Sequence, residues 1–281
     1  MITDSQTNVL YLSSLLKDIE PFYSNFTKLL RKNNVNPILL EGTKSIWCRD
    51  YMPIQVAEDK FVQFIYNPGY FQGKWEHLIF DPGPVTKSIG IETLKTNIKI
   101  DGGNIIRSKD KVILTDKIFR ENLEYDEKDL VNDIRELLEV ETLIIFPRVP
   151  WEATGHADGI LRFVNEDTVI INDFKDQSNT YMNAIDKTLK KYHFNAIRFP
   201  YEPSASKNKY GDYTAKGVYI NYLHIGNLII LPTFGQKEDE SAFNKLQKVF
   251  PTVKIETINS NQISEDGGVL NCISWNIYKN N

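Results

Sequence analysis

The chain has 281 residues, of which 41% are hydrophobic, 12% aromatic and 25% charged, and its formal net charge is -4 with a pI near 5.7. This composition is typical of a folded protein with a substantial core, and the small negative charge without Lys/Arg clusters argues against nucleic-acid binding. No apolar run reaches the roughly 18 residues of a membrane span, and the N-terminus lacks a signal-peptide pattern. Two cysteines cannot build a disulfide framework. We therefore expect a cytoplasmic, soluble, mixed α/β protein with no membrane partner.

Five segments read as β-hairpins, because β-branched and aromatic runs flank a short polar turn in each. In chain order they cover residues 52–66, 104–115, 160–172, 218–231 and 269–278, and the last has the weakest turn, at Trp275-Asn276. Apolar residues at three- and four-residue steps predict helices roughly over 15–31, 127–139, 181–192 and 240–250. Short apolar strands follow these helices at 37–40, 142–146, 196–199 and 253–256, whereas Pro82-Gly83-Pro84 predicts a loop.

The hairpins are preceded by a series of residues that recur at intervals of 50 to 62 positions, as repeated supersecondary units do. The predicted unit is helix, strand, loop, hairpin, and five such units closing in a ring would make a five-bladed α/β propeller. Since no linker interrupts the pattern, we predict one domain, 1–281. In a closed ring the hairpin starts would converge and bring the first, third and fifth units together. The residues at these starts are Asp50, Asp101, His156, Val218 and Gly268.

The convergent positions carry a thiol, an imidazole and carboxylates, which are the parts of a nucleophile, a general acid/base and a cation-binding site. Cys272 follows a Gly-Gly pair, and His156 and Asp158 are two residues apart, so that both would lie on one face of a strand. Each residue also has a structural interpretation: packing for Cys272, a hydrogen-bonded turn for His156 and Asp158, and an ion pair with Arg49 for Asp50.

Other residues near these starts are assigned structural roles. We predict that Cys48 packs in the core, because nothing around it suggests activation, and that Trp47 lies in the core or faces a cation. The run Asp101-Gly102-Gly103-Asn104 is a turn by composition and reads as scaffold rather than catalytic.

Two carboxylates near a thiol suit a planar cation such as guanidinium, which offers five donors in a fixed fork. Its carbon is a poor electrophile, because the charge is delocalised, and a covalent intermediate would divide the reaction into two easier steps. The predicted partner is therefore a small cationic guanidino substrate.

The motifs resemble the agmatine deiminase and bacterial peptidylarginine deiminase branch of the guanidine-modifying (pentein) superfamily over nearly the whole chain. The resemblance implies a five-unit α/β propeller and a hydrolytic deimination that needs no metal and no cofactor. It implies Cys272 as nucleophile, His156 as acid and base, and Asp50 and Asp158 as the guanidinium clamp. The matching motifs are Trp47-x-Arg49-Asp50-x-x-Pro53, Asp101-Gly102-Gly103-Asn104, Gly155-His156-x-Asp158 and Gly267-Gly268-x-x-x-Cys272.

Around this common set the resemblance implies further substrate-wall residues, Trp47, Asn221 and Gly268, while Arg49 and Gly155 complete the structural part of the motifs. Lys44, Ser45, Met52, Val269 and Asn271 depart from the family pattern, as does the segment around Thr115-Asp116-Lys117.

These departures leave the substrate tail open. Agmatine is the first choice and peptidyl- or free arginine the second. The alternatives are an amidinotransferase, a non-catalytic pentein binding module and a zinc hydrolase; the chain could also form a homo-oligomer.

Overall fold

In the computed structural model, which describes residues 1–174, 178–204, 206–208 and 213–280, the strands form five separate three-stranded sheets. The strands are β1 Val9–Ser13, β2 Ile38–Leu40, β3 Ile54–Ala57, β4 Lys60–Ile65, β5 Leu94–Lys99, β6 Ile106–Arg107, β7 Lys111–Thr115, β8 Thr142–Phe146, β9 Leu161–Asn165, β10 Thr168–Asn172, β11 Asn195–Phe199, β12 Leu223–Ile225, β13 Leu228–Thr233, β14 Lys254–Asn259 and β15 Ser274–Ile277. The helices are α1 Phe22–Lys32, α2 Cys48–Tyr51, α3 Gly83–Ser88, α4 Lys117–Glu121, α5 Glu127–Leu137, α6 Asn179–Lys191, α7 Glu238–Val249 and α8 Asn261–Ser264.

Each sheet places one strand between two neighbours, in the orders β15-β1-β2, β3-β4-β5, β6-β7-β8, β9-β10-β11 and β12-β13-β14. In the third of these, Ile113 of β7 lies opposite Ile106 of antiparallel β6 and opposite Ile144 of parallel β8. The strand after a helix therefore joins the hairpin that precedes the helix. This corrects the predicted unit, in which the strand belonged with the hairpin that follows it, and it has a physical reason: a parallel neighbour needs a long crossover, which the helix supplies.

Four of the five predicted hairpins are confirmed, with turns between β3 and β4, β6 and β7, β9 and β10, and β12 and β13. The fifth is wrong. Residues 274–277 form the single strand β15, which pairs antiparallel with β1 from the other end of the chain. Trp275 and Asn276 do not turn, because the Trp275 ring packs 5.0 Å from Tyr11 and the Asn276 amide donates to Thr7 Oγ1 at 2.8 Å.

The predicted helices at 127–139, 181–192 and 240–250 are confirmed as α5, α6 and α7, with shifts of one to two residues at their ends. The prediction for 15–31 is wrong at its start, where a 3-10 turn, Ser14–Asp18, is followed by Pro21 and only then by α1. The loop predicted at Pro82-Gly83-Pro84 is instead the start of α3, since proline is tolerated in the first turn of a helix.

The chain divides into two compact units, each with its own buried strands. Unit 1 comprises Met1–Thr3 and Asp50–Ile197, and its core includes Val62, Val112 and Ile134, all fully buried. Unit 2 comprises Asp4–Arg49 and Arg198–Asn281 and buries β1, β13 and β15. The predicted α/β class with small sheets is confirmed, while the single domain and its closed ring stay predictions. Within the described ranges, no helix has the length and apolar character that a membrane crossing requires.

Candidate active site

In unit 1 the predicted site residues stand in short helical turns directly before the first strand of a hairpin. Asp50 lies in α2 before β3, Gly102–Asn104 form a 3-10 turn before β6, and Ala157–Gly159 form another before β9. Each turn is closed by its own backbone, as in the bond from Ile160 N to Ala157 O at 2.9 Å. The side chains at these strand starts are thereby held on rigid backbone.

Three predicted side chains converge over the backbone of Gly103. A Cβ built on this glycine would lie 2.6 Å from Asp50 Oδ1, 2.7 Å from His156 Nδ1 and 3.4 Å from Asp158 Oδ1. The amide of Gly103 also donates to Asp50 Oδ1 at 3.0 Å. All four residues are buried, so two carboxylates and an imidazole share a small space with little exposure to solvent. Glycine is required here by this close approach rather than by its backbone angles.

Asp101 takes part in this cluster, although the sequence indicated a scaffold residue. His156 Nε2 lies 2.8 Å from Asp101 Oδ2, and His156 Nδ1 lies 3.6 Å from Asp50 Oδ1. A carboxylate can only accept, so the ring nitrogen facing Asp101 carries a proton and donates it. His156 therefore has one nitrogen bound to a fixed anion and presents the other toward Asp50.

The side chain of Asn104 ties the turns of this cluster together. Its Oδ1 accepts from Thr115 N at 3.0 Å and from Ala157 N at 3.2 Å. Thr115 Oγ1 donates to Gly155 O at 2.6 Å. Gly155 itself has a φ of +64°, in the left-handed region that favours glycine. These contacts connect the turns that carry Asn104 and Gly155, whose structural role stays a prediction.

Sequence reasoning missed the residues that surround Asp101 on its other side. Lys117 at the start of α4 donates to Asp101 Oδ2, lies 3.2 Å from Glu121 Oε1 and 3.4 Å from His156 Nε2. Tyr70 donates to Asp101 Oδ2 at 3.4 Å. The only signal was that the segment around Lys117 departs from the family pattern; nothing local indicates that it turns back to the strand start at Asp101.

Burial and mutual charge shift the pKa values of the cluster in different directions. Burial raises the pKa of Asp50 to about 7, although His156 opposes the shift. Burial would also raise the pKa of Asp101, but Lys117 and His156 outweigh it and lower that pKa to about 2. Burial would lower the pKa of His156, but Asp50 and Asp101 outweigh burial and Lys117 and raise it to about 9. Near neutral pH, His156 is therefore cationic and Asp101 anionic, while Asp50 is close to its midpoint.

In unit 2 the predicted nucleophile Cys272 is half-buried and lies against Asn221. Asn221 Oδ1 accepts from the amides of Asn271 at 3.1 Å and Cys272 at 3.3 Å, and Cys272 Sγ is 3.4 Å from the same oxygen. Asn221 thus fixes the backbone that carries the thiol. Its predicted role as a substrate wall is not tested by these contacts.

Arg49 and Cys48, which directly precede Asp50 in the sequence, contact the same segment. Arg49 N donates to Cys272 O at 3.1 Å, and Arg49 Nε donates to Asn271 O at 3.3 Å. Cys48 is fully buried, with its Sγ 3.0 Å from Ile273 O, which agrees with its predicted packing role.

The ring of Trp47 lies flat against Gly268 in the same unit. A Cβ on Gly268 would come within 2.5 Å of Trp47 Cζ3, so glycine is needed for the ring to approach. Trp47 is half-buried, as either of its two predicted roles would allow.

Each unit therefore collects one chemically coherent part of the predicted set. Unit 1 holds an imidazole between carboxylates, an arrangement that can bind a cation and transfer protons. Unit 2 holds a half-buried thiol on a braced backbone, which can serve as a nucleophile. In the part of the chain that the structure describes, no group of three or more His, Cys, Asp and Glu side chains has the arrangement of a metal site.

Comparison with known proteins gives one family and one fold. The family model of the Porphyromonas-type peptidyl-arginine deiminases matches residues 14–277. A Mycoplasma mycoides protein assigned as an agmatine deiminase is 25% identical over 295 aligned residues, which cover 90% of this chain and 79% of that protein. The structure of C. jejuni agmatine deiminase superposes with a TM-score of 0.82 at 19% identity, covering 99% of this chain and 95% of that one. The DDAH from Pseudomonas aeruginosa, at 10% identity, gives 0.60 and covers 97% of this chain and 100% of that one.

Proposed function

The chain belongs to the Porphyromonas-type peptidyl-arginine deiminase family, and we propose that it catalyses the hydrolytic deimination of a small guanidino substrate. The family places it among the hydrolases that act on the C–N bonds of guanidino groups. The observation that carries the proposal is the convergence of Asp50, His156 and Asp158 over Gly103. Two carboxylates beside an imidazole fit a planar cation whose nitrogens must be held while one of them leaves.

In the proposed first step the thiolate of Cys272 attacks the guanidinium carbon and forms an S–C bond. Asp50 and Asp158 accept hydrogen bonds from the guanidinium nitrogens and hold the carbon in place, and such positioning accounts for several kcal/mol of a barrier. His156 gives a proton to the departing nitrogen, the C–N bond breaks, and ammonia leaves. The product of this step is an S-alkylthiouronium on Cys272.

In the second step a water molecule replaces the thiolate. His156, now neutral, takes one proton from the water as its oxygen attacks the same carbon. The C–S bond then breaks to restore the Cys272 thiolate, and the remaining hydroxyl proton is released and converts the ammonia of the first step to ammonium. The released product is a ureido compound, so the sum of both steps is guanidinium plus water giving ureido product plus ammonium. The proposed mechanism uses no cofactor and no metal.

Agmatine is the proposed substrate, with N-carbamoylputrescine and ammonia as products. The family match and the curated relatives support a guanidino head group, and the relatives' names favour agmatine over peptidyl- or free arginine. The departures at Lys44, Ser45, Val269 and Asn271 lie outside the unit 1 cluster and concern the substrate tail.

The closed five-bladed ring and the single domain 1–281 are part of the same proposal. Five sheets of three strands each, and a fold similarity that covers 99% of the chain, support it. A single compact particle of this length has a radius of gyration of about 19 Å. Small-angle scattering of the monomer tests this value, and the same measurement gives the mass and hence any homo-oligomer. A clearly larger radius at monomer mass would contradict the single domain.

The proposed activity is tested by incubating the purified protein with agmatine, free arginine and a peptidyl-arginine, and by measuring ammonia and ureido product. Turnover of agmatine at a kcat/KM well above the other two is expected. Transfer of the amidino group to an added amine, without ammonia, would identify an amidinotransferase instead. No product from any substrate between pH 6 and 10 would refute the deiminase. A chelator is expected to leave the rate unchanged, and loss of activity would revive a metal-dependent hydrolysis.

A further inference from the structure

Lys117 is a buried cation inside the unit 1 cluster that the proposed mechanism does not use. Lys117 is 7% exposed, and its ammonium contacts Asp101 Oδ2, Glu121 Oε1 and His156 Nε2. The ammonium also lies 4.9 Å from the centroid of the Tyr70 ring. A lysine is almost never buried unless it is paired, and these contacts offset the cost of burying its charge.

The pairing keeps Lys117 charged. Burial alone would lower the pKa of Lys117, but Asp101 and Glu121 outweigh burial and raise it. Lys117 begins α4 and Glu121 ends it, so the i,i+4 pair holds the ammonium from one side while Asp101 holds it from the other. The cation is therefore fixed in position and permanently available to the cluster.

We propose that Lys117 is a positioning residue for His156: its ammonium keeps the Asp101 carboxylate ionised and in place, so that His156 donates from Nε2 to Asp101 and presents Nδ1 toward Asp50. The catalytic consequence rests on the proposed deiminase function, whereas the effect on His156 is a property of the folded chain. Lys117 acts through Asp101 and His156 and is not a catalytic residue.

The charges that face His156 come from four elements and act in opposite directions. Asp50 of α2 faces Nδ1, Asp101 at the end of the β5 segment faces Nε2, and Asp158 approaches the same point over Gly103. Lys117 also lies near Nε2, and the ring centroid of Tyr70 is 5.9 Å from that of His156. Glu121 acts on His156 through its contact with Lys117.

The three carboxylates favour the imidazolium, whereas the Lys117 ammonium opposes it. This opposition limits how strongly His156 holds its proton, which matters because the second step needs His156 as a base. Without the ammonium, only carboxylates would face His156, and His156 would release its proton only at higher pH. With Asp101 still in place, loss of the Lys117 charge is therefore expected to raise the pKa of His156.

The test compares Lys117→Met and Lys117→Arg with a matched control, Lys99→Met. Lys99 is another lysine of unit 1 that pairs with a single carboxylate, Glu124, at 3.0 Å, but its side chain is 29% exposed. The His156 ring is followed by NMR titration in each protein, and kcat/KM is measured against pH. In Lys117→Met the pKa of His156 is expected to rise by about one unit, as removal of a like charge at this range does. Lys117→Arg and Lys99→Met are expected to leave it in place.

The outcomes separate positioning from a merely structural role. If Lys117→Met lowers stability but leaves the His156 titration unmoved, Lys117 only fills and neutralises a buried site, and the inference is overturned. Should Lys117→Met fail to fold, Lys117→Gln keeps a donor for Asp101 without the charge, and the same rise is expected in it. A shifted His156 titration in a chain that turns over no guanidino substrate would support the positioning role and refute the proposed function. Turnover of a guanidino substrate with an unshifted His156 titration would support the proposed function and refute the positioning role.

Discussion

A methyl group at Gly103 is the most local perturbation of the proposed guanidinium site. In Gly103→Ala the new Cβ would lie 2.6 Å from Asp50 Oδ1 and 2.7 Å from His156 Nδ1, distances that no Cβ contact sustains. The φ of Gly103 lies outside the left-handed region, so the backbone itself accepts alanine. The side chains of Asp50 and His156 must therefore move, whereas Asp158 Oδ1, at 3.4 Å, would be in ordinary van der Waals contact.

The two consequences of this movement differ in size. The displaced atoms are the ends of side chains rather than backbone, so overpacking is expected to cost about 1–3 kcal/mol of the free energy of unfolding. A side-chain displacement near 1 Å at reacting groups costs about 100-fold in rate, which is about 2.7 kcal/mol of transition-state stabilisation. The expected variant is therefore folded and almost inactive.

Gly159→Ala is the matched control, because Gly159 lies in the turn that carries Asp158 and a Cβ there would have no atom within 4 Å. Urea unfolding and kcat/KM for agmatine are measured for both variants. Gly159→Ala is expected to keep kcat/KM within a few-fold of the parent chain. If Gly103→Ala is folded and keeps its kcat/KM as well, then the side chains over Gly103 do not act on the substrate, and the reasoning from their convergence fails.

Three further predictions test the groups one at a time. The value of kcat/KM is expected to rise with pH through about 7, because Asp50 ionises and can then bind a guanidinium. It is expected to fall through about 9, because His156 loses the proton that it must donate. A rate profile that is flat from pH 6 to 10 would contradict both roles. Cys272→Ala is expected to abolish turnover, whereas Cys48→Ala should lose stability but keep activity per folded molecule, measured as initial rate after normalising by circular dichroism; equal loss in both would make the two thiols structural. Asn221→Ala removes the side-chain oxygen that accepts from the Cys272 amide, so a loss of about 1–3 kcal/mol in the free energy of unfolding is expected. The change in kcat is expected to exceed the change in KM, and an unchanged kcat would remove Asn221 from the site.

The regular elements of this fold could mostly be predicted because their signals are local. The hairpins before residue 232 follow from apolar runs around short polar turns, and α5, α6 and α7 follow from helical periodicity. The errors occur where a distant contact decides. Trp275 and Asn276 resemble a turn in sequence, but β1 lies beside them and makes them the middle of a strand. In the same way, only the sheets show that a strand joins the hairpin before its helix.

For the candidate site as well, some features could be predicted from the sequence and others depend on the tertiary structure. The sequence predicted the site residues Cys272, His156, Asp50 and Asp158. A thiol, an imidazole and carboxylates at repeated strand starts indicate a nucleophile, an acid/base and a cation-binding site from their residue types alone. Only the tertiary structure decided that three of the predicted side chains meet over Gly103, since a shared contact point depends on the placement of three separate turns.

The place of Lys117 in the cluster could not be predicted from the sequence. Its segment shows only a departure from a family pattern, and one lysine among many surface lysines carries no local mark. What makes it different is that α4 turns its ammonium back onto Asp101, 16 residues earlier, and removes it from water. The sequence by itself predicted which groups could react. The folded chain decided which charges surround them, because Coulomb interactions depend on distance and burial and not on order along the chain.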